Sequence, residues 1–221
     1  MLKQSFQKTS GITFIELLVV LAINTILFAA LLTVFISNLT HYRKTLNSNR
    51  LNEQLQSALL LMSTEIRRAG YWVNASDDIG TNQNNNPFMA SGVDVSVSGS
   101  CILFAYDHNK TGTLPAISSS YDDDRYGFRL SGQTLQTRPP GASFDCAAAA
   151  TAWEDVTDPN IIRITALTFT LTPVTITTGP GTQGIIFRSV DISITGALTS
   201  DATVTRTLTQ HIRLRNDKFI P

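Results

Sequence analysis

The sequence predicts an α+β protein in which one long N-terminal helix, half suited to a membrane and half amphipathic, packs on an antiparallel β-sheet. Three observations carry that expectation. An apolar run from Ile12 to Ile36 is interrupted only by Thr13, Glu16, Asn24, Thr25 and Thr33. An apolar stripe at steps of three and four follows it, with no proline before Pro87 to break the helix. The last third then switches to alternating Thr- and Ile-rich runs at 160–173, 184–196 and 202–216, the period-two pattern of strands.

At about 1.5 Å per residue, the first run reaches about 37 Å, enough to cross a hydrocarbon core of about 30 Å. The preceding segment "MLKQSFQKTS" carries Lys3 and Lys8 and no acid, which favours holding that end in the cytoplasm. A secretory signal is the competing reading, with Ala29–Ala30 imitating a cleavage site. Glu16 inside the run and the helical pattern continuing past it favour a retained anchor. A carboxylate in hydrocarbon costs roughly 2.5–3.5 kcal/mol on insertion scales, so Glu16 calls for a reason. Across the whole chain, 17 basic residues balance 17 acidic ones among 221. No overall field therefore directs it to nucleic acid or to an anionic membrane.

The second stripe runs through Leu51, Leu55, Ala58 or Leu59, Met62, Ile66 and Ala69, with Arg50, Glu53, Gln54, Gln56, Glu65, Arg67 and Arg68 left to face water. One helix from about residue 12 to about residue 69 is expected, with Gly70 as the residue that ends it. Residues 74–100 are polar, Asn- and Gly-rich and without period, which is loop chemistry. A strand is expected at 101–107 and a hairpin at 126–138, with Ser131, Gly132 and Gln133 at its turn. Ile186, Ser189 and Asp191 break strict alternation, so a bulge is expected in the middle long run. Gly/Pro turns at 173–184 and 197–202 join the runs into one meander.

Cys101 and Cys146 are the two cysteines. Beyond a membrane span they suit one disulfide in an oxidising compartment, with two buried thiols as the alternative. The bridge would constrain the unfolded chain by about 4 kcal/mol in the loop-entropy model and tie a polar loop between the first strand and the hairpin to the sheet. Asp107, Asn109 and Thr111, followed by Gly112, resemble the first half of a calcium loop. Ser118 stands where the closing carboxylate belongs, and "YDDDRYG" (121–127) could supply one from nearby. A solvated turn is the better account. His211, Arg213 and Arg215 alternate with Ile212 and Leu214, a weak signal for phosphate contact and more simply a polar strand face. No G-x-S-x-G elbow occurs, and His41, His108 and His211 have no metal-ligand spacing. Neither catalysis nor a cofactor is expected.

The stretch "KTSGITFIELLVVLAI" (8–23) resembles the processing motif of type IV prepilins. The resemblance implies cleavage after Gly11 by a membrane aspartyl peptidase and N-methylation of the new first residue, Ile12. Ile12 stands where Phe is commonest and Phe14 where Leu is usual. Glu16 would then lie about 6 Å along the helix axis from a new amine, and in this family the amine that pairs with it comes from the adjacent subunit. The alternative is that Glu16 snorkels or pairs with its own terminus. Further along, "STEIRRAGYW" (63–72), "CILFAYD" (101–107), "YGFRLSG" (126–132), "WEDVTDPNIIRITALTFT" (153–170) and "HIRLRN" (211–216) resemble the PilW-type minor pilins.

That resemblance implies a leader at 1–11, a transmembrane and assembly helix at 12–37, an amphipathic helix at 38–70 and a β-rich pilin domain at 71–221. It implies a subunit of the initiation or tip complex of type IV pili, serving twitching, adhesion or DNA uptake. Before assembly the chain would span the inner membrane once, with its C-terminal domain in the periplasm. Its partners would be prepilin peptidase, other minor pilins, the major pilin and a tip adhesin, with no direct contact to nucleic acid. Loops 74–100 and 107–125 are the natural places for partner choice. No phosphate-binding loop is present, so the work of assembly would come from an external ATPase. The minor pseudopilins of type II secretion, especially the J-type, share this plan, while a membrane-tethered hydrolase is the distant alternative.

Overall fold

The computed structural model describes residues 11–78, 85–117, 123–149, 152–177 and 183–220. A single α-helix, α1, runs from Phe14 to Ile66. Thr13 precedes it, and its carbonyl accepts the N–H groups of Glu16 (3.1 Å) and Leu17 (3.2 Å). That is the position where a hydroxyl residue is favoured at a helix start. The chain divides into two compact units, residues up to Leu46 and residues from Asn47.

In the first unit every described side chain is exposed. The threonines nonetheless carry no unmet polar demand. Thr25 Oγ1 donates to the Ala22 carbonyl at 2.8 Å, Thr33 to Ala29 at 2.8 Å, Thr40 to Ile36 at 2.9 Å and Thr45 to His41 at 3.0 Å. Such back-bonding lets a hydroxyl sit on an apolar helix surface.

In the second unit the amphipathic stripe does what its period predicts. Leu51, Leu55, Ala58, Leu59, Met62, Ile66 and Ala69 are all buried, and they join one core with Ile102, Phe104, Phe128, Leu135, Ile164, Phe169 and Ile192. The helix ends at Ile66, short of Ala69, because the last turn tightens. Arg68 and Ala69 donate three residues back, to Glu65 and Ile66. Gly70 turns the chain at φ +73°, and its N–H goes to the Ala105 carbonyl at 2.8 Å. A Cβ here would lie 2.4 Å from Met89 Cε. The C-terminal segment supplies partners for this corner. Arg215 N–H donates to the Arg67 carbonyl, and Asn216 Nδ2 donates to the carbonyls of Arg68 and Ala69.

Two antiparallel sheets stand where one meander was expected. The first orders β1 (Ser96–Ser98), β2 (Cys101–Ala105), β3 (Arg125–Ser131), β4 (Thr134–Thr137) and β5 (Glu154–Asp155) as β1-β2-β3-β4-β5. Its central hairpin turns on Gly132 (φ 56°) and Gln133 (φ 70°), with Ser131 already paired to Thr134. Two consecutive positive φ values match the twist of a tight hairpin. The second sheet orders β6 (Ile162–Thr177), β7 (Gly184–Leu198) and β8 (Thr205–Arg213), while β9 (Lys218–Ile220) pairs the start of β7. Segment 74–100 is not all loop. It holds β1, and Phe88 and Met89 are buried.

Two strand expectations are corrected. Pro173 lies within β6, opposite Arg188, and the strand continues to Thr177. Phe169 N–H points away from β7, to the Gly99 carbonyl, so alternation puts Pro173 on that same outer edge. Its missing N–H removes no ladder bond there. The register shift falls in β6, between Ile164 and Ala166, not in β7. Strand β7 keeps its period, with Val190, Ile192, Ile194 and Leu198 buried. What disturbed the pattern is Arg188, a buried cation on the inward face. Gly196 leaves room for Leu55, whose Cδ2 would lie 2.9 Å from a Cβ at that position.

Cys101 and Cys146 are joined by a disulfide, their Cα atoms 6.0 Å apart. The loop it ties follows β4, not the first strand. Arg129 binds the same loop, donating to the carbonyls of Cys146 (3.0 Å), Ala148 (2.6 Å) and Ala149 (3.2 Å). Its guanidinium lies 4.4 Å from the Trp153 ring centroid, and burial holds its pKa below the ordinary value.

Candidate functional site

The candidate site is the N-terminal stretch of α1 with the residues just before it. Gly11 and Ile12 precede the helix and are exposed, and nothing lies within 4 Å of where a Cβ on Gly11 would be. Glu16 falls in the first helical turn, where unpaired N–H groups and the helix dipole favour a negative charge. Its side chain makes no hydrogen bond or ion pair with any described residue. The helix is long and apolar enough to cross a membrane, with mean hydropathy 2.7 over its most apolar window and none of that window buried. Physically this is an apolar rod with one anion near its start, and among the described residues none covers the apolar surface or pairs with the charge.

The other sequence candidates sit in the second unit. Asp107, buried, accepts N–H bonds from Val73 (3.0 Å), Thr111 (3.0 Å) and Gly112 (3.1 Å), and Asn109 also accepts from Thr111. Amide hydrogens point into this loop, so its residues do not fit a calcium cage, which needs converging oxygens. The turn is exposed at His108, Lys110 and Thr111 and is stapled by the buried Asp107 carboxylate. Ser118, Tyr121 and Asp122 lie outside the described residues. His211, Arg213 and Arg215 do share an exposed face, but His211 Nδ1 lies 2.7 Å from Asp191 and Arg213 lies 3.1 Å from Asp217. Much of that positive charge is matched locally.

Sequence reasoning missed the buried ionic network of this unit. Asp123 pairs with Arg138 (2.6 Å) and Arg125 (2.9 Å) and accepts from Gly141 N–H (2.9 Å). Arg188 pairs with Asp94, which Lys218 also reaches at 2.8 Å. Beside the helix corner, Arg68, Tyr71, Tyr106, Asp107, His108 and Lys110 line an open groove of about 320 Å³. Tyr106 donates to Glu65 at 2.6 Å and stacks on Tyr126 at 4.3 Å. Burial raises the pKa of both phenols, that of Tyr126 to about 12. Asn216, which closes the motif "HIRLRN", accepts from Arg188 through its carbonyl at 2.9 Å. Its bonds to Arg68 and Ala69 join "HIRLRN" to "RRAGYW".

A long exposed apolar helix leading into an α+β unit of antiparallel sheets is a pilin-like layout. The chain belongs to the prepilin peptidase-dependent protein B family, whose model matches residues 44–214, and so to the type IV pilin-related proteins. The match begins beyond the apolar run, so it is independent of the N-terminal processing motif. It supports the wider pilin relationship and not the PilW type in particular. No curated protein matches the chain, and no solved structure does.

Proposed function

We propose that the chain is a non-catalytic minor pilin of PilW type that takes part in the initiation or tip complex of a type IV pilus. On this reading prepilin peptidase cleaves after Gly11 and Ile12 becomes the methylated first residue. The mature chain waits in the inner membrane, with residues from about 38 onward in the periplasm. Docking with other minor pilins and the major pilin then covers the apolar face of residues 12–36. Glu16 receives the amine of a neighbouring subunit, which removes much of the cost of a carboxylate in an apolar setting and fixes the axial register of the two helices. One observation carries this reading: Glu16 has no partner among the described residues on an exposed apolar helix, while the separate region 44–214 matches the prepilin peptidase-dependent family.

The test replaces Glu16 by Ala in the full chain and compares the inner-membrane pool with sheared fibres. The membrane level should match wild type, and the fibre fraction should fall by roughly tenfold or more. Normal incorporation of Glu16→Ala would remove the role given to the carboxylate. Copurification with a secretion system in place of pili would move the chain to the J-type pseudopilins.

A further inference from the structure

Thr25 and Thr33 satisfy their hydroxyls within the helix. Between Phe14 and Ile36 that leaves two side chains, Glu16 and Asn24, whose polar atoms bond to no described residue. Glu16 lies in the first turn, within reach of a membrane surface. Asn24 does not. It sits midway along the Ile12–Ile36 run, about 18 Å from either end at 1.5 Å per residue. Its short side chain cannot snorkel to an interface as Lys or Arg can. A primary amide brings two donors and an acceptor, and hydrocarbon offers nothing to meet them.

The position of Asn24 on the helix says where the partner must lie. Leu17, Leu21, Asn24, Phe28, Leu31 and Phe35 recur at alternating steps of four and three, the seam spacing of packed parallel helices. No described residue covers that seam. One polar amide in an otherwise apolar seam is the device that fixes register and partner at some cost in stability, and interhelical amide bonds stabilise helix pairs in membranes. Asn38 returns to the same seam two heptads later.

We infer that Asn24 is a second recognition point of the assembly helix. It hydrogen-bonds across the seam to a parallel apolar helix of another pilin-type subunit that carries a polar side chain at the same depth. This rests on the proposed function and adds a choice of neighbour that Glu16 cannot make. An anion can meet the amine of any processed subunit, whereas a mid-span amide selects a helix with a matching group.

The experiment uses the full-length chain in cells, with Asn24→Leu, Asn24→Gln and, as comparator, Glu16→Ala. Intact mass reads processing, the membrane fraction reads insertion, and sheared fibres or the cross-linked inner-membrane complex read incorporation. Asn24→Leu should be processed and inserted as wild type but incorporated roughly threefold less or worse, and Asn24→Gln should recover most of the loss. If Asn24→Leu incorporates normally while Glu16→Ala is excluded, the inference falls and the proposed function stands. If both incorporate normally, both fall. Retention of the leader in Asn24→Leu would mean that the peptidase reads the amide, and a loss that Gln does not recover would mean that side-chain shape is what matters. Either result overturns the inference.

Discussion

The two units treat their polar groups in opposite ways. In residues 47–220, the buried charges Asp107, Asp123, Asp124, Arg129, Arg138 and Arg188 all find partners inside the chain. In residues 14–46, Glu16 and Asn24 find none among the described residues, although the threonines around them do. A charge without a partner in an apolar setting is costly in either place. The difference teaches that the second unit meets its buried charges internally, whereas on the proposed function the first leaves its polar groups for an assembly partner.

That contrast can be broken at several points. The largest effect belongs to the most closed site. Asp123→Ala would leave the Arg138 guanidinium, whose side chain is 0% exposed, without its counter-ion. It should destabilise the second unit by roughly 3–5 kcal/mol, read by chemical denaturation of the full chain in detergent. Arg213→Ala, which breaks an exposed pair, should cost under about 1 kcal/mol in the same assay. Equal effects would mean that the network is not the internal solution described here.

The smallest effect belongs to the helix of the first unit. Thr25→Val keeps the shape and removes a hydroxyl that the helix already satisfies. It should change fibre incorporation by less than about twofold, in contrast to its neighbour Asn24. A loss as large as that of Asn24→Leu would show that any polar change in the span is harmful. The separation between internally satisfied and outward-looking groups would then fail.

Much of this was legible in the sequence, and the misses share a cause. Local period placed the helix and its buried stripe, because Leu51, Leu55, Met62 and Ile66 need only each other's spacing to be read. Gly70 and the Gly132–Gln133 turn were visible for the same reason: their conformations are set by the residues themselves. Pro173 misled because its effect depends on which edge of a strand is free, which no local pattern records. The irregularity read at Ile186, Ser189 and Asp191 surrounds Arg188, an inward cation whose partner, Asp94, lies far off in sequence. Phe88 and Met89 were hidden in a polar segment, since their burial depends on contacts from other elements. The split into two sheets likewise depends on long-range pairing. At the site itself, the apolar helix and the place of Glu16 in it could be read directly, because an anion in an apolar run stands out. Asn24 gained meaning only when the structure showed the neighbouring threonines already satisfied.

On the proposed function, the first unit stays unfinished until processing and assembly complete it. Intact-mass measurement of the protein from cells with an active prepilin peptidase tests this most directly. The prediction is a chain lacking residues 1–11 and carrying one added methyl group, with Ile12 at its start. A mass that still includes Met1 would contradict it, since Glu16 would then have no freed amine nearby to answer.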